Sequence, residues 1–211
     1  MLSRQGKFVY STYAGPKIVD IQTGERIKQW DASSRRIIAS HDERYLAFFM
    51  TDRGRRIFIS SYRLIVYDLV NHVEAYRKNV TDADLSEAFT FLPDNRFVFV
   101  TEQHHKKTEM MDLQLNVVDL ETRKSTELLS HQLQDEPYLS AISMEVSPDE
   151  SMAVVGLTNG VLILFDFETG EEIADWQAHS DEIINLAFSS DGSMLASSGR
   201  DGFIRLWGIW P

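Results

Sequence analysis

The sequence predicts an all-β fold built from repeated units of four antiparallel strands, and three observations support this. Short apolar runs that end in an acidic residue and a turn recur every 42 to 51 residues. A second turn, rich in Asp, Ser and Pro, precedes most of these runs. No segment has the apolar periodicity of an amphipathic helix of useful length. Strands and turns therefore make up the chain.

The apolar runs mark the third strand of each unit. They read KIVDIQTGE, LIVYDLVNH, LNVVDLETR, LILFDFETG and IRLWGIW, and their landmark position holds Asp20, Asp68, Asp119, Asp166 and Gly208. The second landmark is a turn between two strands, which reads SRQGK, SHDER, LPDNR, SPDES and SSDGS in the five units. Four-stranded units that repeat every ~40 to 50 residues are typical of the blades of a β-propeller.

The fourth unit shows the strand pattern most fully. Its strands are expected in YLSAISMEV, SMAVVGL, VLILFDF and EEIADWQ. The third of these runs is apolar at almost every position, as expected for a strand covered on both faces, and the others alternate as half-covered strands do. We predict a single propeller domain (1–211) of about five blades, which lie at approximately 1–31, 32–80, 81–131, 132–177 and 178–211.

The first and last units are each short of one strand. Only MLSRQ precedes the first turn, which is too short for a full inner strand, and only GIWP follows the last third strand. An incomplete ring would expose apolar faces and unpaired strand edges. We therefore expect the chain to be the C-terminal part of a larger ring. The alternatives are a closed ring of five blades and completion by another chain.

The final unit resembles a WD repeat. The stretch AHSDEIINLAFSSDGSMLASSGRDGFIRLW follows the pattern of that family almost end to end, and the earlier units share mainly the apolar-apolar-Asp ending of the third strand. The resemblance implies a structural hydrogen-bonded set of a His, a Ser, an Asp and a Trp. By position these residues are His179, Ser197, Asp201 and Trp207. Their donors and acceptors can satisfy one another.

A row of Asp, Ser and His also admits interpretation as a hydrolase site. We expect no catalysis from it, because the Trp end is packed, the Ser lies on a strand, and no motif for oxyanion donors is present. No catalytic residue, metal site or cofactor is predicted. The other units lack the set, and apolar packing is expected to hold them: their third-strand aromatic position holds Val19, Tyr67, Val118 and Phe165, and Asn159 stands in the fourth unit where the final unit has Asp201.

The second and third units carry longer hairpins, which are the candidate partner-binding loops 52–63 and 102–112. Both are basic, and Arg clusters suit carboxylate or phosphate partners. The alternative is that these are solvated hairpins, neutralised by acidic residues in TDADLSE and QDEP. A metal site shared by the two adjacent histidines is not expected, since neighbouring strand residues point to opposite faces. The candidate residues are Arg53, Arg55, Arg56, Arg63, His104, His105, Lys106 and Lys107.

Composition narrows the function further. The 211 residues carry a net charge of −11, which argues against affinity for nucleic acid or anionic membrane. The chain has no Cys, so disulfides and thiolate catalysis are excluded. No apolar stretch has the length of a signal peptide or a membrane span, which favours the cytoplasm. We expect a non-catalytic scaffold for a protein partner. The alternatives are an enzyme acting on an anionic substrate and the sensory C-terminal module of a larger signalling protein.

Overall fold

The computed structural model describes residues 7–12, 15–53, 60–80, 86–105, 108–134 and 139–208. Every regular element in this part of the chain is a β-strand. The strands form five antiparallel sheets, of which three have four strands and two have three. The predicted class, an all-β propeller of antiparallel blades, is confirmed. Among the residues described, no helix is long and apolar enough to cross a membrane.

The chain divides into two compact units, Met1–Asp82 and Ala83–Pro211, which are described separately. The first unit contains two sheets. The first sheet has the order β1 (Lys7–Thr12), β2 (Gly15–Asp20) and β3 (Arg26–Gln29). The second has the order β4 (Ser33–Ala39), β5 (Tyr45–Arg53), β6 (Ser60–Asp68) and β7 (Val73–Val80).

The core of the first unit is an apolar cluster that contains residues of both sheets. Trp30, which follows β3, lies with its ring edge-on to Phe48 and Tyr67, at centroid distances of 4.7 and 5.1 Å. Aromatic rings prefer such edge-to-face contacts because their faces and edges carry opposite partial charge. The cluster consists of Ile18, Trp30, Ala32, Leu46, Phe48, Met50, Ile65, Tyr67 and Leu69.

The second unit contains three sheets in chain order. The third sheet comprises β8 (Phe89–Phe91), β9 (Phe97–His105), β10 (Met110–Asp119) and β11 (Lys124–Gln134). The fourth comprises β12 (Ala141–Val146), β13 (Met152–Leu157), β14 (Val161–Asp166) and β15 (Glu172–Gln177). The fifth comprises β16 (Ile183–Phe188), β17 (Met194–Gly199) and β18 (Ile204–Gly208).

The recurring Asp at the end of a third strand forms the turn that follows it. Its Oδ1 accepts hydrogen bonds, between 2.7 and 3.1 Å long, from the backbone N–H groups two and three residues further on. These bonds satisfy donors that the strand end leaves free. The residue four positions after the Asp has a positive φ, of 72° at Gly24 and 59° at Arg123. The landmark residues are Asp20, Asp68, Asp119 and Asp166.

The second landmark forms the turn between the first and second strands of a sheet. Its Asp accepts a hydrogen bond of 2.9 to 3.1 Å from the backbone N–H two residues further on in all four sheets from the second to the fifth. Hydrogen bonds from the Ser189 hydroxyl and from Ser193 lower the pKa of Asp191 to about 2. Both sequence landmarks are thus Asp residues that stabilise turns. Each turn needs this hydrogen bond, which explains why the landmarks recur while the strand sequences vary.

The fourth and fifth sheets bury apolar faces against each other. Leu162 and Leu164 of β14 belong to one cluster with Ile183 and Leu186 of β16. Gly156 of β13 permits the close approach, since a Cβ there would lie 2.6 Å from the Ile183 side chain. This contact is the radial packing of neighbouring propeller blades.

The opposite face of the fifth sheet is uncovered. Ile204 and Leu206 occupy the same positions relative to the landmark as Leu162 and Leu164 do in the fourth sheet. The residues of β14 are 0% and 9% exposed, whereas Ile204 and Leu206 are 76% and 65% exposed. Met194 and Ile184 are also exposed. The fifth sheet therefore presents a face of the kind that the fourth sheet buries.

Candidate functional site

The predicted His179 lies just before β16, where the β13–β14 turn holds it. The backbone N–H groups of Ala178 and His179 both donate to the carbonyl oxygen of Gly160, at 3.0 Å. Gly160 has a φ of 83°, and a Cβ there would overlap the backbone of His179. A Cβ on Gly199 of β17 would overlap the imidazole ring. Two glycines therefore create the space that His179 fills.

The four predicted side chains lie in one continuous chain of hydrogen bonds. Trp207 Nε1 lies 2.9 Å from Ser197 Oγ, which lies 2.8 Å from His179 Nε2. His179 Nδ1 lies 2.9 Å from Asp201 Oδ1. Because indole N–H only donates, the Ser197 oxygen accepts from it, and the hydroxyl proton is free to be donated to His179 Nε2. The proton on Nδ1 is then donated to the carboxylate of Asp201, which only accepts.

Asp201 gathers further donors around its carboxylate. The backbone N–H groups of Ser180 and Phe203 donate to it at 3.2 and 3.1 Å, and Arg205 Nη1 lies 2.8 Å from Oδ2. Burial raises the pKa of Asp201, but the hydrogen bonds from His179, Phe203, Arg205 and Ser180 outweigh it and hold the pKa well below its ordinary value. The carboxylate is therefore ionised at neutral pH.

Arg205 was not anticipated from the sequence. Its Nη1 donates to Asp201 Oδ2 at 2.8 Å while His179 Nδ1 donates to Oδ1 at 2.9 Å, so the carboxylate accepts from two neighbouring donors. The sequence does place a cation four residues after Asp201. That spacing alone does not show that the two side chains are close, because one lies in the turn and the other on the strand, and their distance depends on the register of the hairpin.

The centre of this set is closed to solvent. His179 is 1% exposed and Ser197 is 0% exposed. The Ser197 oxygen already contacts the indole of Trp207 and the imidazole of His179. The arrangement can therefore tie β17, β18 and the segment before β16 together, but it offers no approach to the Ser hydroxyl for a substrate.

The corresponding positions of the other sheets are filled differently. Asn159 Oδ1 accepts from the backbone N–H of Val161 at 3.2 Å, as Asp201 does from Phe203. The turn function of the residue is thus retained without the His and the Ser. The third-strand position holds buried Tyr67, Val118 and Phe165, together with half-buried Val19.

The two long hairpins of the sequence analysis are extensions of the strands themselves. Strands β5 and β6 have nine residues each, and β9 and β10 have nine and ten, whereas β13 and β14 have six. Much of each candidate loop is therefore ladder-paired strand. Residues 54–59 and 106–107 lie outside the described part of the chain, so Arg55, Arg56, Lys106 and Lys107 do too.

The remaining candidate residues lie on the strands of these hairpins. Arg53 ends β5, and half-buried Arg63 lies on β6 opposite Met50. His105 Nε2 lies 2.7 Å from Asp112 Oδ2, across the β9–β10 ladder. His104 Nε2 lies 3.5 Å from a different carboxylate. Each histidine thus faces its own acidic partner. Among the residues described, no group of three or more His, Asp or Glu side chains is arranged to hold a metal ion.

The acidic partner of His104 is Glu102, a buried carboxylate that was also not anticipated. Glu102 Oε1 accepts from the backbone N–H of Ala141 at 2.5 Å and from the hydroxyl of Ser140 at 2.9 Å. Burial raises its pKa to about 7, although the hydrogen bonds from Ala141 and Ser140 and the nearby His104 lower it. Its sequence signal is an acidic residue that directly continues the apolar run FVFVT.

The sheets of this chain are those of a β-propeller, and its final unit is similar to a WD repeat. Residues 170–208 match the family model described as WD domain, G-beta repeat. The matched segment covers β15 to β18 and contains all four residues of the set. The resemblance of the final unit to the WD-repeat family is therefore confirmed.

Known WD-repeat proteins resemble about a third of the chain. The chain is 40% identical, over 67 residues, to a WD repeat-containing protein 91 homolog of Dictyostelium discoideum, a match that covers 32% of this chain and 9% of that protein. It is 35% identical to the serine-threonine kinase receptor-associated protein of Gallus gallus and 34% identical to that of Homo sapiens, each over 65 residues. Those matches cover 31% of this chain and 19% of each relative. The matched part is thus less than a fifth of the length of these relatives.

Proposed function

We propose that this chain is a non-catalytic scaffold that binds another protein through its surface. WD-repeat domains generally serve as protein-interaction scaffolds. The non-catalytic part of the proposal rests on one observation: the set of His179, Ser197, Asp201 and Trp207 is hydrogen-bonded within itself, and its Ser and His are buried. This set has the residue types of a hydrolase site.

The geometry of the set supports a structural role. A nucleophilic Ser needs a free approach to its oxygen and a donor pair for the oxyanion. Ser197 Oγ instead accepts from Trp207 Nε1 and contacts His179 within a buried site. Asp201 accepts from the backbone N–H of Phe203 in its own turn and from the backbone N–H of Ser180 in the segment before β16. These contacts fix the turn after β17 against the segment before β16, and we propose that this is the function of the set.

The partner-binding part of the proposal concerns the two basic hairpins. The first contributes Arg53, Arg55, Arg56 and Arg63, and the second contributes His104, His105, Lys106 and Lys107. In a chain with a net charge of −11, the four Arg of the first hairpin outnumber its one Asp and form a surface of opposite sign, and such surfaces set the rate and the selectivity of association. The second hairpin has an adjacent pair of cations, Lys106 and Lys107, although three acidic residues lie in the same stretch. Each hairpin is proposed separately as a site for a carboxylate-rich or phosphorylated segment of a partner.

A relative supports the choice of a protein partner. The serine-threonine kinase receptor-associated proteins that this chain resembles are named for association with a receptor. The match to these relatives covers about a third of this chain. We propose association with a protein for this chain too, and leave the partner defined by its chemistry, an acidic segment.

The test is binding of an acidic peptide to the purified chain. Fluorescence anisotropy with a labelled Glu-rich peptide and its phosphoserine counterpart compares the wild type with the double variants Arg55→Glu/Arg56→Glu and Lys106→Glu/Lys107→Glu. Lys124→Glu is the matched control, because Lys124 is exposed at the other end of the third sheet. Reversal of two contacting charges is expected to weaken binding by at least about tenfold, a change of about 1.4 kcal/mol. Equal loss in the control, or no binding by the wild type, would refute the hairpin assignment.

A further inference from the structure

A buried carboxylate lies at the junction of the third and fourth sheets, and it is not part of the scaffold proposal. Glu102 is near the end of β9, and its side chain is 1% exposed. Two of its hydrogen-bond donors, Ser140 and Ala141, come from the neighbouring sheet. A buried carboxylate is costly in its ionised form, because the protein interior solvates charge less well than water does.

The segment that Glu102 contacts is the entry to the fourth sheet. The carboxylate accepts from Ala141 N–H and from the Ser140 hydroxyl. On its other side, the Ala141 carbonyl accepts from the Ser86 hydroxyl at 2.9 Å and from Glu87 N–H at 3.3 Å. Ser86, Glu87 and Glu102 all belong to the third sheet or to the segment that leads into it. Ala141 is therefore held to the third sheet through both of its backbone groups.

The other end of the segment is tied to the fourth sheet. Ser140 N–H donates to Thr158 Oγ1 at 3.0 Å, and Thr158 N–H donates to the Ser140 carbonyl at 2.9 Å. Residues 140 and 141 thus connect two sheets through six hydrogen bonds beyond the β12 ladder, and two of these bonds end on Glu102. Any change in the charge of Glu102 acts on this connection.

We propose that Glu102 is a proton-controlled latch between the third and fourth sheets: its neutral form holds the junction closed, and its ionisation favours an open, hydrated junction. Protonated Glu102 can still accept from Ala141 and Ser140 through its carbonyl oxygen. His104 Nε2, the ring nitrogen nearest to Oε2, acts instead on the ionised form and lowers the pKa of Glu102. The ionised form is better solvated when the junction opens, because the carboxylate is then in contact with water.

Few ionisable groups of the described residues lie around Glu102. On β9 the neighbour is His104, whose Nε2 is 3.5 Å from Oε2. On β10 the residue paired with Glu102 is apolar Leu113. The elements of the fourth sheet contribute uncharged Ser140, Ala141 and Thr158, and the segment before β8 contributes Glu87 through its backbone. Among the residues that the structure describes, His104 is the ionisable side chain that lowers the pKa of Glu102.

The direction of the pH dependence follows from linkage. Burial raises the pKa of Glu102 to about 7, above its ordinary value of 4.5. An acid whose pKa is raised in the closed state binds a proton more tightly there than in the open state. The closed state is therefore favoured most at low pH, and this preference is lost as the pH rises from about 4.5 to about 7. The latch is thus expected to respond just below and at neutral pH.

Hydrogen exchange of the Ala141 amide, measured by NMR at pH 5.5 and pH 8 and corrected for the intrinsic exchange rate, tests the latch. In the wild type, the protection factor is expected to fall by at least about tenfold between these pH values. Glu102→Gln retains the acceptor and cannot ionise, so its protection factor should stay constant. Glu127→Gln, an exposed substitution on β11, is the matched control and should behave as the wild type does. Equal pH dependence in the wild type and Glu102→Gln would overturn the proposal.

A second measurement covers the case in which Glu102→Gln does not fold. The carbon-13 shift of the Glu102 carboxyl, followed through a pH titration of the wild-type chain, should show a midpoint well above the ordinary range. In His104→Gln the midpoint should move higher, because a neighbour that lowers the pKa has been removed. A wild-type midpoint near 4.5 would overturn the latch. Neither measurement involves a partner, so its failure is distinct from failure of the scaffold proposal.

Discussion

Replacement of Ser197 by Ala tests the structural role proposed for the His179 set. The hydroxyl is fully buried and contacts Trp207 Nε1 at 2.9 Å and His179 Nε2 at 2.8 Å. Ala leaves the indole donor and the imidazole nitrogen without this partner, while the volume of the side chain hardly changes. A buried polar group left unsatisfied costs about 1–3 kcal/mol. At ~1.5 kcal/mol each, two such groups predict a loss of about 3 kcal/mol from the free energy of unfolding.

Scanning calorimetry at pH 7 measures this loss. For a chain of this length, 1 kcal/mol corresponds to about 2–4 °C, so Ser197→Ala should lower the melting temperature by roughly 6–12 °C. Ser198→Ala is the matched control: it is the next residue on β17, half-buried and on the opposite face, and should shift the transition little.

A double-mutant cycle separates the hydrogen bond from general disruption. Trp207→Phe removes the indole donor, so the double variant Ser197→Ala/Trp207→Phe leaves fewer unsatisfied groups than the two single variants together. Its loss should be smaller than the sum of the single losses by about 1 kcal/mol. If Ser197→Ala is as stable as Ser198→Ala, or if the losses are additive, the reasoning is refuted.

Three further predictions concern the set, the turns and the uncovered face. Asp201→Ala should lower the melting temperature, because the imidazole loses its acceptor; an unchanged transition in calorimetry would contradict the assignment. In urea unfolding, Gly24→Ala should lower the free energy of unfolding by about 1 kcal/mol and Arg123→Gly should raise it by about 0.5 kcal/mol, since both positions have a positive φ. If both substitutions change stability in the same direction, the turn analysis is contradicted. Leu206→Lys should reduce self-association in sedimentation velocity, whereas Ile173→Lys, at an exposed position of β15, should not. A wild type that stays monomeric at all concentrations would contradict this.

The fold class could be predicted because its signals are local. An Asp that accepts from the N–H groups two and three residues ahead acts within five residues of chain, so the landmark at Asp119 or Asp166 is visible in the sequence itself. The same is true of the Asp in the turn between the first two strands. Repetition of these turns at a nearly constant interval then implies repeated sheets.

Contacts between sheets could not be predicted in the same way. Glu102 and Ala141 are 39 residues apart, and their hydrogen bond depends on how the third and fourth sheets pack. The four residues of the final set were assigned by resemblance, and their structural role stays a prediction. Arg205 was missed because its place beside Asp201 depends on the register of the β17–β18 hairpin. The polar hairpin residues were interpreted as loops because these strand extensions lack the apolar residues by which a strand is recognised in a sequence.

The uncovered face of the fifth sheet has a consequence for the order in which the chain can fold. During synthesis, β12–β15 emerge before β16–β18, and the turns of each sheet close through contacts within a few residues. The apolar face of β14, in contrast, is covered only when the next sheet arrives. Each sheet thus passes through a period with an exposed face, which is when nascent chains are prone to misassociate. A chain truncated before β16 would present Leu162 and Leu164 to solvent in place of Ile204 and Leu206. Shortening the chain by one repeat therefore moves the exposed face to the preceding sheet and does not remove it.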